Sequence, residues 1–182
     1  NPFFRYIDVQ NLRIFVLDGV NEEIILKISS TYENMLQDNS SIDPNMRQNL
    51  LNVLKERYVY QRVGYVGPEY YDEPPCCPKI TEELGDDAGD FAHSQIDYIW
   101  EKYPDEYDSQ INEVIEHLLH TLTDQGFRFA FPEDWNWKDP NSTVNMAMYE
   151  AIEKGHYNIT GYEEIKNLDP EGFNRVIATE FA

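Results

Sequence analysis

Basic residues are scarce in this sequence, and their scarcity limits the partners that the protein can take. The chain has 14 lysine and arginine residues against 34 aspartate and glutamate residues, which gives a formal net charge of −20 at pH 7. Such a charge repels the phosphate backbone of nucleic acids and anionic membrane surfaces. We therefore expect no nucleic-acid partner, and the charge favours cations or basic proteins instead.

Long hydrophobic runs are also lacking. No stretch approaches the roughly 18 consecutive apolar residues of a membrane-spanning helix, and the first residues, from Asn1 to Phe4, form neither a basic nor an apolar leader region. The sequence thus predicts no membrane span and no intact signal peptide. The missing initiator methionine and the abrupt end of the last predicted helix at Ala182 suggest a processed product, or an excerpt truncated at its C-terminus.

Cysteine is nearly absent. The two cysteines, Cys76 and Cys77, are adjacent, so they cannot link distant segments, and no further cysteine completes a structural zinc site. We expect two ordinary loop thiols, with a strained vicinal disulfide or a soft metal contact as the alternatives. Glycine-rich phosphate loops and the Gly-x-Ser-x-Gly elbow are missing too, so nucleotide cofactors and serine hydrolysis have no support.

Hydrophobic and aromatic residues are numerous enough for a folded core. They make up 41% and 14% of the 182 residues, the length of one ordinary domain. Periodicity and end signals predict a single α+β domain over residues 1–182, mostly helical, with a small N-terminal sheet. The predicted strands cover 12–17 and 58–65, with an edge strand or extended turn at 127–131; the predicted helices cover 22–37, 43–57, 94–102, 109–124, 142–154, 162–166 and 169–182; a long acidic, proline-rich loop covers 70–90.

One predicted helix, 109–124, carries a cluster of ionisable side chains. At about 100° per residue, these side chains fall within one arc opposite the apolar residues of the helix. Pairs four residues apart stabilise an exposed helix, so a solvated face is one interpretation. The other is a divalent metal site, because side chains at i and i+4 can converge on one ion, and imidazole with carboxylate suits zinc. The members of the cluster are Glu113, Glu116, His117, His120 and Asp124.

Residues 116–120, Glu-His-Leu-Leu-His, resemble the His-Glu-x-x-His motif of zincin-type metallopeptidases, and Gly126 closes the predicted helix six residues later. Residues 179–182, Thr-Glu-Phe-Ala, resemble the segment that supplies the glutamate ligand in one subgroup of this family. The opening strand and helix also resemble the start of such domains. The resemblance implies a zincin-like fold, zinc as the cofactor, and a peptide or protein as the substrate or partner.

The motif departs from the family because its first two positions are exchanged. Glu116 stands where the family has its first histidine ligand, and His117 stands where it has the general-base glutamate. In the family's register, the resemblance implies that Glu116, His120 and Glu180 bind the metal and that His117 is the base. Two carboxylate ligands make the metal ion less acidic and weaken hydrolysis. We therefore expect metal binding to survive the exchange more readily than catalysis.

A second register remains open. Glu113-x-x-Glu116-His117 resembles the inverted His-x-x-Glu-His motif with its first histidine changed to glutamate. In this register Glu113 and His117 would bind the metal, Glu116 would be the base, and a later glutamate such as Glu180 would complete the site. The leucine pair, the position of His120 and the closing glycine favour the first register.

Other residues have weaker claims to a function. We expect Trp135 and Trp137 to anchor the loop 132–140 on the core, with the lining of a substrate groove as the alternative. The acidic residues 86–90 lack the spacing of a calcium-binding loop. His156 lies outside the candidate helix, and we expect it to be exposed.

The sequence therefore predicts a zincin-like metal-binding domain, which is either a divergent metallopeptidase or a descendant that has lost hydrolysis. The competing hypothesis is a non-enzymatic structural or interaction protein, such as a subunit of an extracellular or viral assembly that binds another protein of that assembly. The strong acidity, the 13 tyrosines and the altered motif fit this second hypothesis. An extracellular or virion-associated location is favoured.

Overall fold

The computed structural model describes residues 3–57, 59–65, 98–101, 107–162 and 170–182. This part of the chain is mostly helical and contains a small N-terminal sheet, which confirms the predicted α+β class. It divides into two units, Asn1–Thr121 and Leu122–Ala182. Within the described ranges, no helix is both long and apolar enough to span a membrane.

The first unit contains a sheet of four strands. Its strands are β1 Phe3–Val9, β2 Leu12–Leu17, β3 Val59–Tyr65 and β4 Tyr98–Glu101. They lie side by side in the order β1-β2-β3-β4, with β1 antiparallel to β2 and the other pairs parallel. In β2, alternate apolar side chains are buried, as expected for a strand with one core face. The positions of β2 and β3 confirm the predicted strands.

Three described helices lie wholly or mostly in the first unit, and the first two begin where the capping residues predict. Their bounds are α1 Glu22–Leu36, α2 Pro44–Glu56 and α3 Tyr107–Leu122. The Asn21 side chain accepts the backbone N–H of Glu23 at 3.0 Å, and the Asp43 side chain accepts that of Asn45 at 2.8 Å. Such caps satisfy backbone donors that the first turn of a helix leaves unpaired, so short-range sequence signals were sufficient to place α1 and α2.

Tyr32 of α1 gives a stability prediction. Its side chain is fully buried, and its hydroxyl has no hydrogen-bond partner among the described residues; burial raises the pKa of this hydroxyl well above its ordinary value. An unsatisfied buried hydroxyl is destabilising. We therefore expect Tyr32→Phe to raise the free energy of unfolding by about 1 kcal/mol, measured by denaturant unfolding. Tyr32→Ala is the control for packing, with an expected loss of about 3–5 kcal/mol. A loss of stability in Tyr32→Phe would mean that the hydroxyl is satisfied after all.

The predicted helix 94–102 is wrong where the structure can test it, because residues 98–101 form β4. Ile99 is fully buried and lies opposite Val63 of β3. The segment Tyr-Ile-Trp has the aromatic and β-branched side chains that strands favour. Pairing with β3 therefore overrides the weak helical pattern. The strand β1 was not predicted at all, although its residues also alternate.

The second unit is built from short helices around a small core. Its elements are a π-helical turn Thr123–Phe127, α4 Arg128–Ala130, α5 Pro132–Trp135, α6 Thr143–Glu153, a 3₁₀ turn Thr160–Tyr162 and α7 Pro170–Phe181. The core of this unit consists of Trp137, Met148, Phe173, Ile177 and Ala178. The bounds of α6 and α7 confirm the predicted helices 142–154 and 169–182.

The expected edge strand or extended turn at 127–131 is wrong. This segment lies in the π-helical turn and α4, so Gly126 does not end the helical conformation. The physical reason is a side-chain pair one helical turn apart: Arg128 Nη1 lies 3.0 Å from Asp124 Oδ1, with both residues buried. The glycine that does end a helix is Gly155, whose φ of 72° follows α6.

Several sequence predictions lie outside the described residues. They include the acidic loop 70–90 with Cys76 and Cys77, and most of the predicted helix 162–166, of which only Tyr162 is described, in the 3₁₀ turn. These predictions stay open.

Candidate metal centre

The helix α3 presents a different face to the core than its apolar pattern suggests. Val114 and Leu118 are fully buried, but Ile115 and Leu119 are 36% and 41% exposed. In their place, three polar residues of α3 are buried: Gln110, Glu113 and Thr121. The cluster of ionisable side chains is therefore not a uniformly solvated face, because part of it faces the interior of the first unit.

Two of the predicted ligands, Glu116 and His120, lie one turn apart on α3. Glu116 is exposed and His120 is half-buried, while the third predicted ligand, Glu180, is exposed near the end of α7. Glu116 and His120 belong to the first unit and Glu180 to the second, and each of them offers one ligand atom. These three residues could hold a metal ion.

The chemistry of these side chains fits a divalent ion. One imidazole with two carboxylates leaves a fourth position for water, as in catalytic zinc sites. No second group of three such side chains comes together in the part of the chain that the structure describes.

His117 and Glu113 form a separate pair beside this group. His117 Nε2 lies 3.2 Å from Glu113 Oε1, and both side chains are largely buried. The His117 ring also contacts the rings of Trp100 and His120, with centroid distances of 6.0 and 5.7 Å. The inverted register requires Glu113 and His117 to converge on a metal with a third ligand, and they belong to no such group in the described ranges.

Comparison of this chain with protein families, curated proteins and solved structures gives no match. The candidate function therefore depends on the chemistry of these side chains and on the motif.

Tyr157 was missed in the sequence, although it lies close to the Glu180 ligand candidate. Its hydroxyl donates to the Ile177 carbonyl at 2.9 Å, one turn before Glu180 on α7, and its ring packs on Phe181 at a centroid distance of 5.3 Å. Burial raises the pKa of Tyr157, and the nearby Tyr162 and Glu180 raise it further. Nothing in the local sequence around Gly155 distinguishes this tyrosine from the other tyrosines of the chain.

The fifth ionisable residue of the predicted cluster, Asp124, lies in a buried network of the second unit. Its Oδ1 accepts from Arg128 Nη1 at 3.0 Å and from Trp137 Nε1 at 3.1 Å, while its Oδ2 accepts from Gln125 Nε2 at 2.9 Å. Burial raises the pKa of Asp124, and the charge of Arg128 and the hydrogen bonds oppose this effect without cancelling it. This carboxyl is structural rather than a metal ligand.

The two tryptophans of the loop 132–140 differ in their surroundings. Trp137 is 6% exposed, and its carbonyl accepts from the amides of Asn145 and Asn174 at 2.8 Å. Trp137 therefore anchors the loop on the core of the second unit, as predicted. Trp135 is half-buried and packs on Phe127, with a centroid distance of 5.2 Å. His156 is exposed, and His93 lies outside the described residues.

Proposed function

We propose that this chain is a zincin-like metal-binding domain in which Glu116, His120 and Glu180 hold one zinc ion. The observation that supports this proposal is that Glu116 and His120 lie one turn apart on α3, so that both side chains can bind the same ion. The motif assigned the same three residues as ligands from the sequence alone. Two of them lie on one helix, and the third is about 60 residues away in the sequence. Helix geometry does not group the third residue with the other two, whereas the resemblance to the zincin motif does.

The donor set favours zinc over the common hard cations. Calcium and magnesium prefer sites made entirely of oxygen atoms, whereas His120 contributes an imidazole nitrogen. Imidazole binds zinc and similar transition metals well, and three protein ligands with an open position are typical of catalytic zinc. The net charge of −20 attracts cations in general. The donor set adds selectivity for zinc.

We propose that hydrolysis, where it persists, is weak and acts on a peptide or protein. A bound zinc ion would polarise a carbonyl group and acidify a bound water. Two carboxylate ligands reduce this acidity, and His117 takes the position of the family's base. A neutral imidazole can accept a proton, so His117 is the proposed catalytic residue. We therefore expect the altered motif to impair catalysis more than metal binding.

The test is a zinc titration of the complete chain after removal of metal with a chelator. Isothermal titration calorimetry should show one site per chain for zinc, with weaker binding of calcium and magnesium. The variant Glu180→Ala should lose most of this affinity. Because the chain is acidic, the controls are Glu33→Ala and Glu153→Ala, which remove an exposed carboxylate from each unit outside the group. Equal losses in the controls, or no saturable zinc binding, would refute the proposed site and leave the structural or interaction protein as the better hypothesis.

A further inference from the structure

Glu180 is the one ligand candidate that lies in the second unit. It is exposed and belongs to the last turn of α7. An exposed side chain loses conformational freedom when it binds a metal ion, so its affinity depends on how far the fold already restricts the backbone that carries it. The contacts that hold this turn within the second unit are therefore relevant to zinc binding.

Tyr157 contacts the last turn of α7 in two ways. Its hydroxyl donates to the Ile177 carbonyl at 2.9 Å, and its ring packs on Phe181 at a centroid distance of 5.3 Å. Ile177 precedes Glu180 by three residues, and Phe181 follows it directly. One side chain therefore contacts the turn that carries Glu180 on both sides of this glutamate.

The path of the chain after α6 brings Tyr157 to this position. Gly155 has a φ of 72°, and the backbone N–H groups of His156 and Tyr157 both donate to the Ala151 carbonyl, at 2.8 and 3.1 Å. A glycine in the left-handed region after a helix reverses the chain in this way. The Tyr157 ring also packs against the core of the second unit. Backbone hydrogen bonds and packing together hold Tyr157 in place.

The charge of Glu180 also acts on Tyr157. Burial raises the pKa of the Tyr157 hydroxyl, and the nearby Tyr162 and Glu180 raise it further. The hydroxyl therefore stays protonated at neutral pH and remains a hydrogen-bond donor. The carboxylate of Glu180 thus lies near the side chain that contacts its turn.

We propose that Tyr157 is a positioning residue that fixes the turn of α7 carrying Glu180 and thereby raises the affinity of the chain for zinc. The effect on zinc rests on the proposed function, whereas the fixed turn depends only on contacts within the second unit. Side chains that bond directly to a metal ligand contribute about 10–100-fold to affinity. Tyr157 bonds to the backbone instead, so we expect the smaller effect of one hydrogen bond, about fivefold.

The test compares Tyr157→Phe with Tyr149→Phe in the complete chain. Tyr149 also donates to α7, to Asn174 Oδ1 at 2.6 Å, but six residues before Glu180. Each variant removes one hydroxyl and keeps the ring. In a competition titration with a zinc-binding dye, Tyr157→Phe should lower the affinity for zinc about fivefold and Tyr149→Phe less than about twofold. Equal losses in the two variants, or an unchanged affinity in Tyr157→Phe, would overturn the proposal.

Hydrogen exchange in the metal-free chain tests the fixed turn without zinc. We expect the backbone amides of Glu180 and Phe181 to exchange about fivefold faster in Tyr157→Phe and at an unchanged rate in Tyr149→Phe. An unchanged rate in Tyr157→Phe would refute the role of Tyr157 and leave the metal site standing. If the chain binds no zinc, the proposed function and the zinc role of Tyr157 both fail, and the exchange rates still decide whether Tyr157 fixes the turn.

Discussion

Replacing His120 with alanine is expected to lower the affinity of the chain for zinc by about 100-fold. The free energy of zinc binding to structural sites is about 10–16 kcal/mol, which is roughly 3 kcal/mol for each of four ligands. Each 1.4 kcal/mol corresponds to a factor of ten in affinity. His120 is the one nitrogen donor of the proposed group. Its loss leaves two carboxylates, which bind zinc with less preference over calcium and magnesium.

The matched control for this prediction is His156→Ala. His156 is an exposed histidine after α6 and belongs to no ligand group among the described residues. Its replacement should leave the zinc affinity unchanged within about twofold in the same competition titration with a zinc-binding dye. Circular dichroism of both variants verifies that the helices are retained. Similar affinities for the two variants would show that zinc binds the acidic surface without using His120.

Asp124→Ala is expected to lower the free energy of unfolding by about 3–5 kcal/mol. The substitution removes the shared acceptor of Arg128, Trp137 and Gln125, all of which are buried. A buried guanidinium that loses its carboxylate is costly, because that carboxylate no longer compensates the desolvation of the charge. The measurement is denaturant unfolding followed by tryptophan fluorescence, since Trp137 donates directly to Asp124.

Asp124→Asn separates the charge of this side chain from its hydrogen bonds. Both Arg128 and Trp137 donate to Oδ1, and an asparagine keeps that oxygen. Because burial raises the pKa of Asp124, the folded state accepts the neutral form more readily than the unfolded state does. We therefore expect Asp124→Asn to cost clearly less than Asp124→Ala. Equal losses in the two variants would show that the negative charge itself stabilises the network.

The same raised pKa predicts how stability changes with pH. The folded state binds the Asp124 proton more tightly than the unfolded state, so unfolding releases this proton between the two pKa values. The contribution of Asp124 to stability is therefore complete at low pH, and it decreases as the pH rises through the folded pKa. Asp124→Asn lacks this titration. The chain should accordingly lose stability relative to this variant as the pH rises across this range.

The sequence alone determined the elements whose signals are local. The alternation in β2, the caps Asn21 and Asp43, and the helix stop at Gly155 all act over a few residues, so the observed elements agree with those predictions. The motif in α3 and the glutamate near the end of the chain also predict Glu116, His120 and Glu180 as metal ligands, and this stays a prediction. Residue type and spacing were sufficient for the strand, the caps and the helix stop because these depend on short-range geometry.

The tertiary structure decided which face of α3 is buried and what each polar side chain of that helix does. Glu113 is buried because Trp100, 13 residues earlier, donates to it, and Thr121 is buried because its hydroxyl donates to Gln61, 60 residues earlier. Long-range pairing likewise turned a weakly helical segment into β4, and the Asp124–Arg128 pair kept residues 127–130 helical. Periodicity in a sequence records apolar and polar positions, but a buried polar residue is stable only beside its partner, and that partner is brought close only by the fold.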